Sequence, residues 1–463
     1  MERLTLGQIL QAVNGTLLGD YRDENTPVDS VSTDSRKIEP GCLFVPLTGE
    51  RFDGHAYINM ALEAGAAGCF TARERDSYLP GKFYIKVASP LRALRDLAAM
   101  YRARFDIPVV GVTGSVGKTT TKDMIAAVLG TKYHVLKTEG NMNSREGMSL
   151  TLLRLDSSYD IAVIEMGMSQ AGEIDFLSRA SRPNVAVITN IGDSHIENLG
   201  SRENIFKAKC EVFHNLAPDA FAVVSGDDGM LSTLPQTQSV PCVLCGTGEG
   251  CSFRAEEITS GQDGHILCRA VTPKGSFQMD IPALGKHMVY PALFAAAVGE
   301  HFGLTDEQIR EGILRFEPTK MRMTVLRRGQ DITILNDAYN ASPQSMRAAI
   351  GVLADTKCQY KIAVLGDMFE LGALAPMLHS GVGECLGRAG IDCLVAVGQL
   401  AEHIAAGARK AGVARVLHCP DKDGAKTVLE QLIRPGCTVL VKASRGMAME
   451  EIVDYLKQIT TQE

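Results

Sequence analysis

Apolar runs and helical segments alternate over most of the chain, but the pattern changes character twice. Up to about residue 84, the alternating segments are short and turn residues are frequent. A strand is predicted at residues 83–87 and a helix at residues 90–104, where apolar positions return at helical spacing. Beyond this point, continuous apolar strands separated by helical segments are typical of parallel sheets covered by helices on both faces. We therefore predict an α/β protein.

The middle part of the chain carries this pattern most clearly. Buried strands are predicted at residues 108–113, 161–164 and 185–188, and a helix at Lys118–Leu129 follows the first of them. Residues 238–283 are rich in glycine and indicate short strands joined by hairpins, one of them at Thr272-Pro-Lys-Gly-Ser-Phe277. We predict that this stretch is a β excursion within a central domain.

The last part shows a second regular alternation, which starts near residue 331. Its predicted strands are separated by helical stretches, as in a Rossmann-like domain; they lie at residues 332–335, 362–365, 394–397, 416–417 and 439–441. A chain of 463 residues also favours three domains, at about 100–200 residues each. We place the domains at residues 1–84, 85–317 and 318–463.

Charge and composition narrow the class of partner. A net charge of −7 argues against a broad nucleic-acid-binding surface, because phosphate backbones require clustered lysine and arginine. The first residues lack a basic segment followed by an apolar core, and no apolar run is long enough for a membrane span, so we expect neither a signal peptide nor a span. The 12 cysteines are then expected to be reduced thiols in a cytoplasmic protein.

Four cysteines lie close together in the β-rich stretch: Cys242, Cys245, Cys251 and Cys268. A structural zinc site would need a second closely spaced ligand pair, which Cys251 and Cys268 do not form. We favour plain cysteines in a β-rich region and keep metal binding at Cys242 and Cys245 as the alternative.

A glycine-rich loop joins the predicted strand at residues 108–113 to the helix that follows it. In a phosphate-binding loop, backbone N–H groups and the positive helix end hold phosphate oxygens, the lysine reaches the β- and γ-phosphates, and the threonine binds Mg²⁺. The glycine usually found at position 112 is at 111 here, so this is a variant loop. By contrast, Gly246-Thr-Gly-Glu-Gly250 has no helix after it and is predicted to be a hairpin turn. The candidate nucleotide contacts are Gly114, Ser115, Val116, Gly117, Lys118, Thr119 and Thr120.

Candidate metal ligands follow two of the predicted strands. Ligands bind beyond the carboxyl ends of the strands in open α/β sheets, and Glu165 ends the strand at residues 161–164. Such an acid can hold Mg²⁺, the alternative being a solvated strand-end carboxylate. His195 lies in the loop after Val185–Ile188 and is a candidate metal ligand or phosphate contact, the alternative being a surface histidine.

A helix capped by Ser201 follows that loop. Lys209 lies beside the apolar stripe of this helix and is predicted to face inward, whereas Lys207 points the opposite way. An unpaired buried ammonium is costly, so Lys209 either extends to solvent or has a function. Spacing alone leaves both possibilities open. The stripe consists of Ile205, Ala208, Val212 and Leu216.

Together these residues resemble the Mur ligase family, over nearly the whole chain. The family's Gly-Ser/Thr-x-Gly-Lys-Thr loop matches residues 114–119, and its asparagine-rich segment matches Gly140-Asn-Met-Asn143. Its strand-end glutamate matches Glu165, its metal-binding histidine matches His195, and its carbamylated lysine matches Lys209. The resemblance implies an ATP-dependent amide-bond ligase with a small N-terminal UDP-binding domain, a central P-loop ATPase domain and a C-terminal Rossmann-like domain.

Four further stretches are similar to one branch of this family. They imply a cytoplasmic, monomeric enzyme of peptidoglycan synthesis that joins D-alanyl-D-alanine to UDP-N-acetylmuramoyl-tripeptide through an acyl phosphate. The implied cofactors are ATP and two Mg²⁺ ions, with a carbamate on Lys209. The third residue of the tripeptide, diaminopimelate or lysine, stays open. The stretches are Thr33-Asp-Ser-Arg36 with Gly41-Cys-Leu-Phe-Val45 and Gly49-Glu-Arg-Phe-Asp-Gly-His55; Asn336-Asp-Ala-Tyr-Asn-Ala-Ser-Pro343; Leu365-Gly-Asp-Met-Phe-Glu-Leu-Gly372 with His379; and Val441-Lys-Ala-Ser-Arg-Gly-Met447.

The resemblance also implies roles for residues outside the phosphate loop. Nucleotide contacts are expected at His287, Arg322 and Asp337. One segment departs from the family: its Gly-x-His-Asn-x-x-Asn, whose asparagines meet the adenine, has Met288 and Pro291 at the asparagine positions here. Contacts with the UDP-linked substrate or the dipeptide are expected at Ser32, Asp34, Ser35, Arg36, Asn141, Asn143, Tyr339 and Asn340.

Three alternatives are kept. A sister ligase that adds the third residue of the stem peptide is disfavoured by the Gly-Asp-Met-x-Glu-Leu-Gly stretch and by the lack of an Asp-Asn-Pro-Arg segment. A folylpolyglutamate synthetase is disfavoured by the similarity of the N-terminal domain. A nucleotide-gated regulatory protein has only the two missing asparagines in its favour.

Overall fold

Three sheets of five, nine and six strands follow one another along the chain in the computed structural model, which describes residues 1–49, 52–261, 264–328 and 332–458. Glu50 and Arg51, which belong to one of the stretches that resemble the family, lie outside the described residues. No helix in the described ranges has the length and apolar character needed to cross a bilayer. The domain boundaries at residues 84 and 317 stay a prediction.

The N-terminal sheet is small. It has the order β2-β7-β6-β5-β4, with β2 antiparallel to β7 and the other neighbours parallel, while β1 pairs separately with β3. The predicted strand at residues 83–87 and the predicted helix at residues 90–104 are both confirmed, and the helix ends at Arg102. The elements are β1 (Leu4–Thr5), α1 (Leu6–Val13), β2 (Thr16–Leu18), β3 (Pro27–Val28), β4 (Val31–Ser32), β5 (Leu43–Phe44), α2 (Ile58–Glu63), β6 (Gly68–Thr71), β7 (Phe83–Lys86) and α3 (Pro90–Arg102).

The central sheet has nine strands in the order β16-β15-β14-β13-β12-β11-β8-β10-β9. Its elements are β8 (Val109–Thr113), α4 (Lys118–Leu129), β9 (Val135–Lys137), α5 (Arg145–Leu152), β10 (Ile161–Glu165), α6 (Glu173–Ser181), β11 (Val185–Ile188), α7 (Ile196–Leu199), α8 (Arg202–Cys210), β12 (Phe221–Ser225), α9 (Leu234–Thr237), β13 (Cys242–Gly246), β14 (Phe253–Ser260), β15 (Ile266–Thr272), β16 (Gly275–Ile281), α10 (Val289–His301) and α11 (Asp306–Leu314).

The β excursion predicted at residues 238–283 is confirmed as one edge of this sheet. Strands β14, β15 and β16 are antiparallel neighbours, and the predicted hairpin joins β15 to β16, where Thr272 pairs with Gly275. The hairpin turn predicted at residues 246–250 is wrong. Strand β13 pairs with β14 in parallel, with Cys245 opposite Phe253, so the glycines form a connection between parallel strands.

Strand β8 lies between β10 and β11, and every residue of the three strands is buried. Continuous apolar sequence is what a parallel strand covered on both faces requires, which is why all three could be predicted. Because parallel strands end at the same edge, the loops that follow β8, β10 and β11 meet there. This edge carries the glycine loop, Glu165 and His195.

The C-terminal sheet has the order β17-β18-β22-β19-β20-β21, and only β17 is antiparallel to its neighbour. The predicted alternation of strands and helices is confirmed. The elements are β17 (Thr324–Arg328), β18 (Ile332–Asn336), α12 (Pro343–Asp355), β19 (Tyr360–Gly366), α13 (Ala375–Arg388), β20 (Cys393–Val397), α14 (Ala401–Lys410), β21 (Arg415–Cys419), α15 (Lys422–Leu432), β22 (Cys437–Lys442) and α16 (Glu450–Gln458).

Candidate active site

A cavity of about 1350 Å³ is lined by residues from all three parts of the chain. Most of the predicted site residues line it, although they are far apart in sequence. Gly114 and Lys209 are buried and are not part of the lining, and the predicted substrate contacts at residues 32–36 lie outside it. The predicted residues that line the cavity are Ser115, Val116, Gly117, Lys118, Thr119, Thr120, Asn141, Asn143, Glu165, His195, His287, Arg322, Asp337, Tyr339 and Asn340.

The glycine loop has a backbone that only glycine can supply. Gly114 has a φ of +148°, and a Cβ there would come within 1.8 Å of the Thr189 hydroxyl oxygen. Gly117, with a φ of +81°, leads directly into α4. The Lys118 ammonium donates to the carbonyl oxygens of Gly114 (2.8 Å) and Ser115 (3.3 Å), so it lies over the loop. Burial lowers the pKa of Lys118.

The loop that follows β11 holds the glycine loop from one side. The Ser115 N–H donates to the Asn190 carbonyl (3.0 Å), and the Val116 N–H donates to the Asn190 side chain (3.1 Å). In return, the Thr189 hydroxyl donates to the Val116 carbonyl (2.7 Å). These bonds fix the position of the glycine loop relative to His195, which lies at the end of the loop after β11.

Glu165 has the arrangement expected of a metal ligand. Its side chain is 1% exposed, and its Oε1 accepts a hydrogen bond of 2.6 Å from Asn143. Its Oε2 is buried and has no hydrogen-bond partner in the part of the chain that the structure describes. Buried carboxylate oxygens are almost always paired or bound to a cation, so this oxygen fits a Mg²⁺ ligand.

His195 stands at the start of α7 with a φ of +63°. Its Nδ1 lies 2.5 Å from Oε2 of Glu370, within ion-pair distance. The His195 ring holds the pKa of the Glu370 carboxyl below its usual value. Glu370 was not predicted as a site residue, although it belongs to the stretch Gly-Asp-Met-Phe-Glu-Leu-Gly that carried the family resemblance.

Lys209 is buried in α8, as predicted, with 1% of its surface exposed. Ser201 caps this helix, also as predicted, but the helix ends at Cys210, so the stripe expected to reach Leu216 continues as a 3₁₀ turn. Among the described residues, the Lys209 ammonium has no hydrogen bond or salt bridge. Burial, together with the charge of Lys118, lowers the pKa of Lys209 well below its ordinary value. A neutral amine is the form that can react with CO₂.

The C-terminal part contributes charged side chains to the lining of the cavity. The Lys442 ammonium, which is 3% exposed, lies 2.5 Å from Asp337 and donates to the Asn340 carbonyl (2.9 Å). The Arg322 guanidinium lies over the Tyr339 ring, 4.3 Å from its centre. The structure thus brings Arg322, Asp337, Tyr339 and Asn340 together, as predicted. It adds Lys442, which could have been found from its position in the family-like stretch Val441-Lys-Ala-Ser-Arg-Gly-Met447.

The segment that departs from the family also lines the cavity. His287, Met288 and Pro291 are all part of the wall at the start of α10. Tyr290, between them, donates a hydrogen bond of 2.8 Å to Asp227, which follows β12. Neither Tyr290 nor Asp227 was predicted as a site residue.

In the N-terminal part, the cavity is reached by residues other than those predicted. Asp34 and Arg36 form a bidentate ion pair at the surface, with two contacts of 2.9 Å. The cavity is lined instead by Thr48, His55 and Arg73, among others. Of these three, only His55 lies in the stretch at residues 49–55 that resembles the family, and nothing in the sequence indicated Thr48 or Arg73.

Disulfide bonds and groups of side chains that could hold a metal ion by themselves are both absent from the described residues. Every cysteine of the chain is a free thiol. Within the described ranges, no group of three or more histidine, cysteine, aspartate or glutamate side chains is arranged to hold a metal ion.

Comparisons with known proteins define the class. Three family descriptions match successive parts of the chain: "Mur ligase family, catalytic domain" at residues 27–102, "Mur ligase middle domain" at residues 112–299 and "Mur ligase, glutamate ligase domain" at residues 321–445. The chain belongs to the Mur ligase family, which confirms the predicted family and three-part α/β fold.

The similar proteins point to one member of that family. The chain is 41% identical to the UDP-N-acetylmuramoyl-tripeptide–D-alanyl-D-alanine ligase of Bacillus subtilis (strain 168), covering 98% of this chain and 99% of the relative. A crystal structure of MurF from Acinetobacter baumannii is 32% identical with a TM-score of 0.93 and covers 99% of both chains. The MurF ligase of Thermotoga maritima in complex with ADP is 28% identical with a TM-score of 0.83, over 93% of this chain and 97% of that one.

Proposed function

We propose that this protein is the ATP-dependent ligase that joins D-alanyl-D-alanine to UDP-N-acetylmuramoyl-tripeptide in peptidoglycan synthesis. The observation that carries the proposal is a cavity shared by three domains, in which a phosphate-binding loop lies beside the unpaired carboxylate oxygen of Glu165. The full-length similarity to ligases of this name supports the choice of substrates.

The loop and the residues around it supply what phosphoryl transfer needs. The amides after Thr113 and the ammonium of Lys118 bind the phosphates. Thr119 and Glu165 would hold one Mg²⁺, and His195 and a carbamate on Lys209 would hold a second. When bound, the two ions offset the repulsion between a triphosphate and an attacking carboxylate. The lowered pKa of Lys209 supports this modification, because CO₂ adds only to a neutral amine.

The reaction then proceeds in two steps. The terminal carboxylate of the tripeptide attacks the γ-phosphorus of ATP, which forms an acyl phosphate and releases ADP. The free amine of D-alanyl-D-alanine attacks the acyl carbon, and the tetrahedral intermediate collapses to the amide and inorganic phosphate. An acyl phosphate is easily hydrolysed, so a cavity enclosed by three domains protects it from water.

The remaining walls accommodate the other ends of the substrates. His287, Arg322 and Asp337 are the proposed nucleotide contacts, and Asn141, Asn143, Tyr339 and Asn340 face the tripeptide or the dipeptide. Ser32, Asp34, Ser35 and Arg36 stay proposed contacts of the UDP group, although they lie outside the cavity lining. All three parts of one chain contribute to the cavity, which supports a monomer as the working unit, and the UDP-linked substrate supports a cytoplasmic location.

The release of inorganic phosphate tests this function. We expect release only when ATP, UDP-N-acetylmuramoyl-tripeptide and D-alanyl-D-alanine are all present, because the second step frees the phosphate. Lys118→Ala should lose about 2–4 kcal/mol of transition-state stabilisation, roughly a 30- to 1000-fold drop in kcat. The exposed Lys132→Ala is the matched control and should leave kcat unchanged.

Two results would contradict the proposal. Phosphate release that does not depend on the dipeptide would indicate another reaction, and an absence of release with all three substrates would favour a regulatory protein. Near-normal turnover in Lys118→Ala would show that the phosphates bind elsewhere.

A further inference from the structure

The stretch at residues 365–372 forms a loop that the C-terminal domain holds rigidly. It continues from β19, and the Met368 N–H donates to Nε2 of His379 (2.9 Å), which is completely buried. The next amide, that of Phe369, donates to the Ser444 hydroxyl (2.8 Å), and the Ser444 N–H donates back to the Asp367 carbonyl (3.0 Å). These bonds come from α13 and from the segment after β22, so the loop is fixed from two sides.

Glu370 is the residue that this loop presents to the central domain. Its φ is +62°, a left-handed conformation that is uncommon for a residue with a side chain. Its carboxylate lies 2.5 Å from Nδ1 of His195, and its carbonyl oxygen accepts a hydrogen bond of 3.2 Å from the Glu197 N–H. The loop therefore contacts both the side chain at the start of α7 and the backbone of its first turn.

This contact determines which nitrogen of His195 is available. A carboxylate can only accept, so the Nδ1 that faces it carries the proton, and Nε2 keeps its lone pair. Histidines that bind metal ions commonly donate their other N–H to a carboxylate, which fixes both the tautomer and the direction of the ring. The short distance between Glu370 Oε2 and His195 Nδ1 fits such a pair, although the ring is not aligned for a regular N–H···O hydrogen bond in this structure.

We propose that Glu370 is the positioning residue of His195, an inference that rests on the proposed function because it needs His195 to bind a metal ion. Glu370 follows β19 of the C-terminal sheet, whereas His195 follows β11 of the central sheet. The metal site at His195 is therefore complete only when the C-terminal domain lies against the central domain. Substrate binding that brings the two domains together would assemble this ligand at the same time.

Binding of Mn²⁺, counted by electron paramagnetic resonance of the free ion, tests the inference without measuring turnover. The full-length protein is titrated in the presence of a β,γ-imido analogue of ATP. We expect two Mn²⁺ sites in the wild type. Glu370→Ala should weaken one of them by about 10- to 100-fold and leave the other unchanged. Glu370→Gln keeps an oxygen that can accept the Nδ1 proton and should lose less.

The matched control is Glu384→Ala. Glu384 is a partly exposed carboxylate of the C-terminal domain that pairs with Lys410, away from His195. This variant should bind both ions as the wild type does. His195→Ala should lose the same site as Glu370→Ala, and the double variant should be no weaker than His195→Ala alone.

The outcomes separate this inference from the proposed function. If His195→Ala loses a Mn²⁺ site but Glu370→Ala binds both ions normally, the positioning role is wrong and the proposed function stands. If His195→Ala itself retains both sites, His195 is not a metal ligand, and both the inference and that part of the proposed function are wrong.

Discussion

The Lys209 side chain lies in an environment that favours its uncharged form. It is 1% exposed, lies near the ammonium of Lys118 and has no carboxylate partner among the described residues. If α8 served only for packing, a lysine at this position would lower the stability of the protein. Burial removes the ammonium from water, and no contact among the described residues compensates for the lost solvation. The proposed conversion to a carbamate would give the same side chain two oxygen atoms that can bind Mg²⁺.

We predict that Lys209→Ala lowers kcat by about 10- to 100-fold, by analogy with the loss of a metal-site group. A short-chain carboxylic acid such as acetate or propionate should restore part of the activity, because it can place a carboxylate where the carbamate was. The control is Lys207→Ala on the exposed side of the same helix, which should neither lose activity nor respond to the acid. Full activity in Lys209→Ala would contradict a role for Lys209 in metal binding and would leave it only a role in packing.

At the residue scale, local sequence was enough to predict groups whose role depends on a strand end or a helix face. Glu165 follows a buried strand, and Lys209 lies beside an apolar stripe, so both positions could be inferred from spacing. Glu370 and Lys442 could not be selected in this way. Each contacts a partner more than 100 residues away in sequence, His195 and Asp337 respectively, and only the packing of different elements brings the partners together.

Helix α4, which follows the phosphate loop, carries a charged cluster on its buried side. The Lys122 ammonium, 2% exposed, lies 2.9 Å from Asp123 and donates to the Thr138 carbonyl (2.7 Å). Asp123 also contacts Lys137 (2.8 Å) and accepts a hydrogen bond of 2.8 Å from Thr319, in the segment between α11 and β17. This cluster thus ties the helix to the connection between the central and C-terminal domains.

We predict that Asp123→Ala lowers the free energy of unfolding by about 3–5 kcal/mol, because it leaves the buried Lys122 ammonium without a counter-charge. Lys137→Ala is the matched control from the same cluster. The Lys137 side chain is 46% exposed, so its loss should cost less than about 1 kcal/mol. Urea unfolding of the two variants measures the difference. Equal losses in both variants would mean that burial does not set the strength of these ion pairs.

At the element scale, the three fully buried strands β8, β10 and β11 and the parallel strands of the C-terminal sheet could be predicted, because continuous apolar runs are typical of strands covered on both faces. Strands β9, β12 and β17 were not predicted. The failure at residues 246–250 has a physical cause. A glycine turn after a strand permits either a hairpin or a connection to a parallel neighbour, and the choice depends on how β13 and β14 pair at the sheet edge. That pairing is a property of the whole sheet and is absent from the local sequence.

At the scale of the whole molecule, the site exists only where the three parts of the chain meet. The central sheet supplies the phosphate loop and Glu165, the C-terminal part supplies Asp337, Lys442 and Glu370, and the N-terminal part supplies His55 to the same cavity. Sequence similarity predicted the three domains and most of their site residues. It could not predict which side chains of the N-terminal part reach the cavity, because that depends on how the first domain is placed against the second.

The most direct test is a crystal structure of the protein with the β,γ-imido analogue of ATP and Mn²⁺, whose anomalous signal locates each metal ion. We predict phosphates against the amides that follow Thr113, one Mn²⁺ at Thr119 and Glu165, and a second Mn²⁺ at His195 and a carbamylated Lys209. Phosphates bound at another place, or metal ions away from Glu165, His195 and Lys209, would contradict the account.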